Sequence, residues 1–315
     1  MSYTPLKPSF LGLRVFDSLA LEPIAGYIDW TYFFHAWRIS GNYQGLETLC
    51  GCEACKQKWL LSFPVEERDK AKEAIRLFWD ARDMLSGLMR QHLLKVNVAL
   101  YFSEAKSGAE AIDFIEDGKV TISLPVLRQQ HPSERSGYCL SLADFISPEQ
   151  DYVGLFAVSI LGADEISAQY KAKGDDYNSI LVESVAARLA EATSEWLHLQ
   201  VRRHLWGYAN HESLTRDEIR QAKYQGIRPA VGYPSLPDQS VIFDFDKLLH
   251  LEKIGIRLTE NGAMHPTSAV CGMYISHPKS SYFMIGKIGQ DQLADYAKRR
   301  NKSVGEMKRW LPNSL

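Results

Sequence analysis

Apolar residues recur at helical spacing along two long stretches of the chain. In the first stretch, which begins after Pro64, they repeat every three or four positions as Ala71, Ile75, Phe78, Ala81, Leu85 and Leu88. The second stretch begins at Asp175-Asp176, whose side-chain oxygens can cap a helix, and reaches about Trp206. Because such a stripe buries one side of a helix and leaves the other in water, the pattern predicts two long amphipathic helices.

Shorter runs of β-branched and aromatic residues predict strands between and after these helices. The predicted strands are Val96–Phe102, Ala111–Glu116, Lys119–Leu124, Tyr152–Ile160, Ala269–Ser276 and Tyr282–Ile288. Asp117-Gly118 suits the tight turn of a hairpin. Strands that follow one another without crossover helices favour an α+β fold with a largely antiparallel sheet.

Four further helices complete the prediction. Thr215 and Glu218 have the spacing of a capping box and open a short helix that stops before Gly226. Another helix is expected over about Phe243–Ile254, and two C-terminal helices contain Leu293 and Trp310.

The ends of the chain suggest a simple domain organisation. Pro5 and Pro8 lie among polar residues, so residues 1–10 are expected to form an N-terminal arm or the stub of a linker, with one domain over 11–315. No basic segment followed by an apolar run opens the chain, and no apolar stretch approaches about 20 residues. A cytoplasmic protein is expected.

Composition excludes some classes of partner. The chain has 36 basic and 38 acidic residues and a formal net charge of -2, so bulk charge does not favour binding to nucleic acid or to an anionic membrane. Its hydrophobic fraction of 45% is ordinary for a globular protein.

The segment from Arg228 to Pro234 has an unusual composition. Pro229, Gly232 and Pro234 exclude regular structure and stiffen a loop that presents an arginine and Tyr233. A rigid loop that offers a guanidinium and a phenol suits recognition of an amino acid's carboxylate and of a flat ring. The alternative is a tight turn whose arginine forms a surface ion pair.

Two carboxylates are candidates for the same kind of site. Asp29 lies among aromatic residues, where burial requires a cationic or hydrogen-bonding partner. Glu191 lies on the second long helix beside the small residues Ser184, Ala187 and Ser194, which leave room for a ligand. The alternative for each acid is a helix cap or a solvated helix face.

Several collinear segments resemble the activation domain of cobalamin-dependent methionine synthase. They are Pro8-Ser9-Phe10-Leu11-Gly12-Leu13-Arg14-Val15, Tyr27-Ile28-Asp29-Trp30, Leu142-Ala143-Asp144-Phe145, Asp175-Asp176-Tyr177-Asn178, Arg188-Leu189-Ala190-Glu191, Tyr224-Gln225-Gly226-Ile227-Arg228-Pro229, Gly232-Tyr233-Pro234 and Ser276-His277-Pro278. The resemblance implies a single helmet-shaped α+β domain, built on a twisted and largely antiparallel sheet, that binds S-adenosylmethionine in a groove.

The resemblance also implies which residues form that ligand site. The residues at matching positions are Asp29, Glu191, Arg228, Ala230, Gly232, Tyr233, Tyr282 and Phe283. Arg228 is expected to bind the methionine carboxylate through two hydrogen bonds, while Asp29 or Glu191 accepts from the ammonium or the ribose. No residue is expected to act as a catalytic acid or base, because the chain only positions the methyl donor.

The resemblance further implies a role as a methyltransferase component. A flavodoxin-type reductant returns an electron to cob(II)alamin held by the cobalamin-binding domain of methionine synthase, and S-adenosylmethionine then remethylates the cofactor. The chain has no Asp-x-His-x-x-Gly signature for cobalamin, so the cofactor is expected on another domain or chain. It is therefore insufficient alone for methionine synthesis.

A cysteine-rich stretch does not fit this resemblance. Residues 46–63 look like an insertion and contain Cys50, Cys52 and Cys55. Three thiolates at this spacing can bind a metal, although the local sequence offers no fourth ligand. The alternatives are reduced surface thiols, a disulfide and a contact with a partner. A contact with a partner suggests a second possible function for the chain, as a non-catalytic docking or sensor module for corrinoid proteins.

Overall fold

A six-stranded antiparallel sheet forms the centre of the computed structural model, which describes residues 3–108, 110–132, 137–312 and 314. The strands are β1 (Gly12–Phe16), β2 (Lys95–Ser107), β3 (Ala111–Glu116), β4 (Lys119–Pro125), β5 (Asp151–Leu161) and β8 (Ala269–Tyr274). Their order is β4-β3-β2-β5-β8. The remaining strand, β1, pairs with residues 98–102 of β2, next to residues 104–107, which pair with β3. Two short strands, β6 (Arg257–Leu258) and β7 (Met264–His265), form a separate hairpin.

Helices cover both faces of this sheet. In chain order they are α1 (Glu22–Ala25), α2 (Trp30–Ala36), α3 (Glu53–Leu61), α4 (Arg68–Arg90), α5 (Ala163–Ala172), α6 (Asp176–Gln200), α7 (Arg216–Arg220), α8 (Ile242–Leu249), α9 (Gln290–Arg299) and α10 (Val304–Trp310). The α6 helix continues into a π-helical turn over Val201–Leu205. The predicted helices after Pro64 and from Asp175 to Trp206 are therefore confirmed.

Alternate residues of the central strands pack into two different cores. On β2, Val98 and Leu100 face a core shared with α4 and α6, whereas Ala99 and Tyr101 face a core shared with α8. Since both faces are covered, β5 is buried along almost its whole length. The predicted α+β class with an antiparallel sheet is confirmed.

Local signals placed several elements correctly. Asp175 caps α6 by accepting a hydrogen bond from the backbone N–H of Asn178, and Thr215 and Glu218 form the predicted capping box of α7. Asp117 and Gly118 both have positive φ angles in the turn between β3 and β4. The helix expected over 243–254 is shorter than predicted, because His250 adopts a left-handed conformation and a 3₁₀ turn follows.

The predicted strand Tyr282–Ile288 is wrong. Gly286 has a φ of +72°, which an extended strand does not accommodate, and the Ile285 N–H donates to the Pro234 carbonyl of a loop. The edge of β8 is bridged by the segment that begins at Ile227, which pairs with Ile275. Residues 281–289 therefore cross the surface without forming a regular element.

The described part of the predicted N-terminal arm packs against the domain. The Ser9 N–H donates to the Leu205 carbonyl, the Trp206 indole donates to the Leu6 carbonyl, and the Tyr3 hydroxyl lies 2.9 Å from that of Ser276. Residues 1 and 2 lie outside the described residues. Among the described helices, none is both long enough and apolar enough to cross a membrane.

Candidate ligand-binding groove

A groove of about 1210 Å³ opens between α6, the loop that follows Arg228 and the irregular segment 281–287. Its remaining walls come from residues around Asp29, from the end of α7 and the segment that follows it, and from Gln129, His131 and Leu140. Of the eight residues predicted to form a ligand site, seven line it, namely Asp29, Glu191, Arg228, Ala230, Tyr233, Tyr282 and Phe283. The fold therefore joins four distant parts of the sequence at one surface.

The loop after Arg228 is held against the edge of the sheet by backbone hydrogen bonds. The Met273 N–H donates to the Pro229 carbonyl, and the Val231 N–H donates to the Cys271 carbonyl. Gly272 permits this close approach, since a Cβ built there would lie 2.5 Å from the Pro229 oxygen. The loop is therefore rigid, as its composition predicted.

Gly232 shapes this loop and does not line the groove. It has a φ of +83°, and its N–H donates to the Leu236 carbonyl in a tight turn. A Cβ at this position would also lie 2.5 Å from the Gln239 side chain. Glycine is therefore required here by backbone geometry.

Arg228 forms an ion pair with Glu195, which the sequence analysis did not identify. Nη2 of Arg228 donates to Oε2 of Glu195 at 2.6 Å, and the two side chains are only 17% and 18% exposed. Burial opposes the charge of Arg228, but Glu195 together with Tyr282 and Tyr224 outweighs this effect, so the pKa of the guanidinium is raised. Arg228 is therefore a charged group held at the groove wall, and the surface ion pair considered above is in fact a mostly buried one.

The pair retains unused hydrogen-bonding capacity. Nε of Arg228 and Oε1 of Glu195 are buried and have no partner among the described residues. A buried polar atom without a partner costs about 1 to 3 kcal/mol. This arrangement suits a polar ligand that reaches both members of the pair.

Glu191 binds the phenol of Tyr233 from the neighbouring turn of α6. The Tyr233 hydroxyl donates to Oε1 of Glu191 at 2.9 Å. Burial and the nearby carboxylate raise the pKa of Tyr233 to about 12, so the phenol stays protonated at neutral pH. One carboxylate oxygen is thereby oriented within the groove.

The face of α6 that lines the groove differs from the predicted one. It comprises Arg188, Glu191, Ala192 and Glu195, at spacings of three and four residues. Ser194 is fully buried and donates to the Ala190 carbonyl, so the predicted face of Ser184, Ala187, Glu191 and Ser194 is wrong except at Glu191. Helical spacing from Glu191 is the signal that identifies Glu195.

Tyr282 links segment 281–287 to the Arg228 loop. Its hydroxyl accepts a hydrogen bond from the Arg228 N–H at 3.0 Å and lies 3.3 Å from the hydroxyl of Tyr224. The next residue, Phe283, is half-buried and packs near Phe145 with the ring centres 6.2 Å apart. Tyr224, which the sequence analysis did not select, also lines the groove.

Asp29 both caps a helix and lines the groove. Its Oδ1 accepts a hydrogen bond from the backbone N–H of Thr31 at 2.9 Å, which satisfies the first turn of α2. Tyr27 and Tyr32 stand beside it on the same wall. From the sequence, a helix cap and a place in a ligand site were alternatives for Asp29. In the structure the two roles are compatible, because Asp29 caps α2 and also lines the groove.

A buried polar layer supports the groove from behind. Arg202 is 0% exposed, forms three hydrogen bonds with the Glu212 carboxylate, and lies over the ring of Tyr224 at 4.2 Å from its centre. Nearby, the ring of His198 stacks on Tyr274. Burial and then the charges of Arg202 and Arg228 hold the pKa of His198 well below its ordinary value.

The three cysteines of residues 50–55 lie outside this groove. Their sulfur atoms all lie within 4.8 Å of one another, and the Sγ atoms of Cys50 and Cys52 are 3.2 Å apart. Hydrogen bonds from Cys52 lower the pKa of Cys50 to about 7, whereas contact with Cys50 raises that of Cys55 to about 12. All three are free thiols here.

The chain is similar to known proteins in sequence and in structure. The family model "Vitamin B12 dependent methionine synthase, activation domain" matches residues 20–301 of the chain. The crystal structure of the MetH reactivation domain bound to AdoHcy is 38% identical in sequence and superimposes with a TM-score of 0.86. The match covers 99% of this chain and 93% of that one.

Proposed function

This chain belongs to the family of activation domains of vitamin B12-dependent methionine synthase, and on that basis we propose that its groove binds S-adenosylmethionine. The bound ligand then serves reductive methylation of cobalamin carried by the cobalamin-binding domain of a methionine synthase, in the same or a separate chain. A flavodoxin-type protein is the proposed reductant, and the cytoplasm is the proposed location.

The observation that carries this proposal is the Arg228–Glu195 pair at the groove wall. An α-amino acid presents a carboxylate and an ammonium on one carbon, and this pair offers a cation and an anion side by side. Arg228 is proposed to bind the methionine carboxylate. Asp29, Glu191 and the spare oxygen of Glu195 are the proposed acceptors for the ammonium and the ribose hydroxyls.

The remaining walls suit a nucleoside. Tyr27, Tyr32, Tyr233 and Tyr282 all line the groove, and aromatic faces pack well against a purine ring. The volume of about 1210 Å³ accommodates an amino acid joined to a nucleoside. The related structure with 38% identity holds AdoHcy, the demethylated form of the same ligand.

The role proposed for this chain is to position the methyl donor. The sulfonium methyl group is already an electrophile, so its transfer requires no general acid or base. The partner's cobalamin, once reduced, supplies the nucleophile, and the sulfur keeps the bonding electron pair as the methyl group leaves. Arg228 and the rigid loop after it hold the amino-acid end, which fixes the direction of the methyl group.

Calorimetry with three ligands tests the binding proposal. The wild type is expected to bind S-adenosylmethionine and S-adenosylhomocysteine, and Arg228→Ala is expected to weaken both by roughly 2 to 5 kcal/mol. Methylthioadenosine, which lacks the carboxylate and the ammonium, should bind weakly and almost equally to both proteins. Arg203→Ala, which removes an exposed arginine next to Arg202, is the matched control.

A reconstitution assay tests the role in methylation. The protein is added to a cobalamin-loaded methionine synthase that lacks its own C-terminal module, together with a reductant and S-adenosylmethionine. The visible spectrum is expected to report methylated cobalamin with the wild type and little with Arg228→Ala. Normal ligand binding without methylation would contradict the methyltransferase role, whereas equal binding by wild type and Arg228→Ala would contradict the site.

A further inference from the structure

We propose that the cysteine cluster, defined as Cys50, Cys52 and Cys55, binds a single zinc ion through three thiolates, with the fourth coordination position facing solvent. Nothing in the activity proposed above requires this site, because none of the three residues lines the groove. The two proposals can therefore be tested independently of each other.

The positions of the sulfur atoms fit one ion. The ligand atoms lie within 4.8 Å of one another, and those of Cys50 and Cys52 are 3.2 Å apart. In a tetrahedral zinc site with Zn–S bonds of about 2.3 Å, neighbouring sulfurs are about 3.8 Å apart. Small rotations of the side chains reach this spacing. A [4Fe–4S] cluster separates its cysteine sulfurs further, since each binds a different iron atom.

The backbone between the cysteines is fixed against α4. Gly51 has a φ of +81°, and a Cβ built there would lie 2.7 Å from the ring of Trp79 on α4. This contact holds the turn that brings Cys50 next to Cys52. Arg82 of α4 also lies over this indole ring at 4.8 Å from its centre, which helps to hold the ring in place.

The start of α3 positions the remaining sulfur. Cys52 is the N-cap of this helix, and its Sγ accepts a hydrogen bond from the Cys55 N–H at 3.4 Å. Trp59 anchors the same helix by donating from its indole to the Gln44 carbonyl at 3.0 Å. The three thiols are therefore brought together by two anchored segments, and their proximity does not depend on one flexible loop.

The local charges are compatible with zinc. Three thiolates and Zn²⁺ sum to one negative charge, which the positive end of the α3 dipole helps to stabilise. Lys56 forms an ion pair with Glu53, so these two residues add no net charge beside the cluster. Binding releases the thiol protons to solvent. Among the described residues no fourth histidine, cysteine or carboxylate joins the group, so water completes the coordination.

Metal analysis of the whole chain tests this proposal. After purification under reducing, oxygen-free conditions and exposure to Zn²⁺ followed by desalting, the wild type is expected to retain about one zinc per chain. Cys50→Ser, Cys52→Ser and Cys55→Ser are each expected to lose most of it. Serine preserves size and remains a good N-cap at position 52, and circular dichroism checks that each variant folds.

Cobalt substitution gives a readout of the ligands themselves. With Co²⁺, the wild type is expected to show near-ultraviolet sulfur-to-cobalt charge transfer and strong visible bands typical of tetrahedral thiolate coordination, and the three variants are expected to lose them. Cys139→Ser, which removes a half-buried thiol outside the cluster, is the matched control and should retain both signals.

Other outcomes would overturn the proposal. They are zinc affinity weaker than about 1 μM in the reduced wild type, iron with inorganic sulfide in the purified protein, and a mass decrease of two hydrogens that marks a disulfide. Calorimetry with S-adenosylmethionine is expected to be unchanged in the cysteine variants. Loss of zinc with normal ligand binding therefore supports the metal site independently of the proposed function.

Discussion

The Arg228 guanidinium lies 2.6 Å from the Glu195 carboxylate, so the loop after α7 and the C-terminal part of α6 are joined by a mostly buried ion pair. The pair holds a cation at the groove wall that would otherwise be costly to desolvate. It also places an anion where the ammonium of an amino-acid ligand can reach it.

Glu195→Gln is expected to lower the free energy of unfolding by about 1 to 3 kcal/mol, because it leaves the charge of Arg228 buried beside a neutral amide. Urea denaturation measures this change. Glu47→Gln breaks the exposed pair with Arg220 and should change stability by less than about 0.5 kcal/mol. Equal losses in the free energy of unfolding would show that burial of the Arg228–Glu195 pair does not contribute to stability.

Gly272→Ala is expected to displace the Arg228 loop. The new methyl group would lie 2.5 Å from the Pro229 oxygen and 2.8 Å from the ring of Phe156. We expect a loss of about 1 to 3 kcal/mol in stability and weaker binding of S-adenosylmethionine by calorimetry. Gly87→Ala is the control, since a Cβ there meets nothing within 4 Å in the last turn of α4 and should stabilise the protein by up to about 1 kcal/mol. Unchanged ligand affinity in Gly272→Ala would contradict the role of this close approach.

Glu212→Gln is expected to destabilise the protein by about 3 to 5 kcal/mol, because Arg202 would remain fully buried without its counter-ion. The two side chains are 0% and 7% exposed. Thermal and urea denaturation report the loss. Glu306→Gln, at the exposed capping box of α10, provides a control substitution of the same type with a much smaller expected cost. A similar cost for both substitutions would refute the importance of the Arg202 pair.

The buried imidazole of His198 predicts a pH dependence of stability. Its pKa lies below the unfolded value because of burial and of the charges of Arg202 and Arg228, so the unfolded chain binds the proton more readily. The stability that depends on neutral His198 is therefore complete above the unfolded pKa of about 6.5 and falls as the pH drops below it, by up to about 1.4 kcal/mol per pH unit.

Urea titrations at pH 8 and pH 5.5 measure this dependence. His198→Gln removes the titrating group, so the difference in stability between the two pH values should shrink relative to wild type. His204→Gln, at an exposed position of the adjacent turn, should leave the wild-type difference intact. If the His198 variant kept the full wild-type difference, another group would be responsible.

Much of the fold was predictable because its signals are local. The stripe of apolar residues over α4, the cap at Asp175 and the Asp117-Gly118 turn each act within a few residues of chain, and the structure contains all three. The composition of residues 228–234 likewise predicted a stiff loop, because proline and glycine limit the backbone wherever they occur. The collinear segments identified the family for the same reason, since each is a short run of residues that can be recognised in the sequence alone.

The groove depended on contacts between distant residues, and only the tertiary structure decided these. Glu195 and Arg228 are 33 positions apart and meet because α6 packs on a face of the sheet in contact with β8, while the loop pairs with the edge of β8. The same edge is why residues 282–288 form no strand: segment 227–230 already occupies it, and Gly286 turns the chain away. Periodicity determines that a helix is amphipathic, but the face that borders a groove depends on the elements packed around it, and this information is not local to the helix.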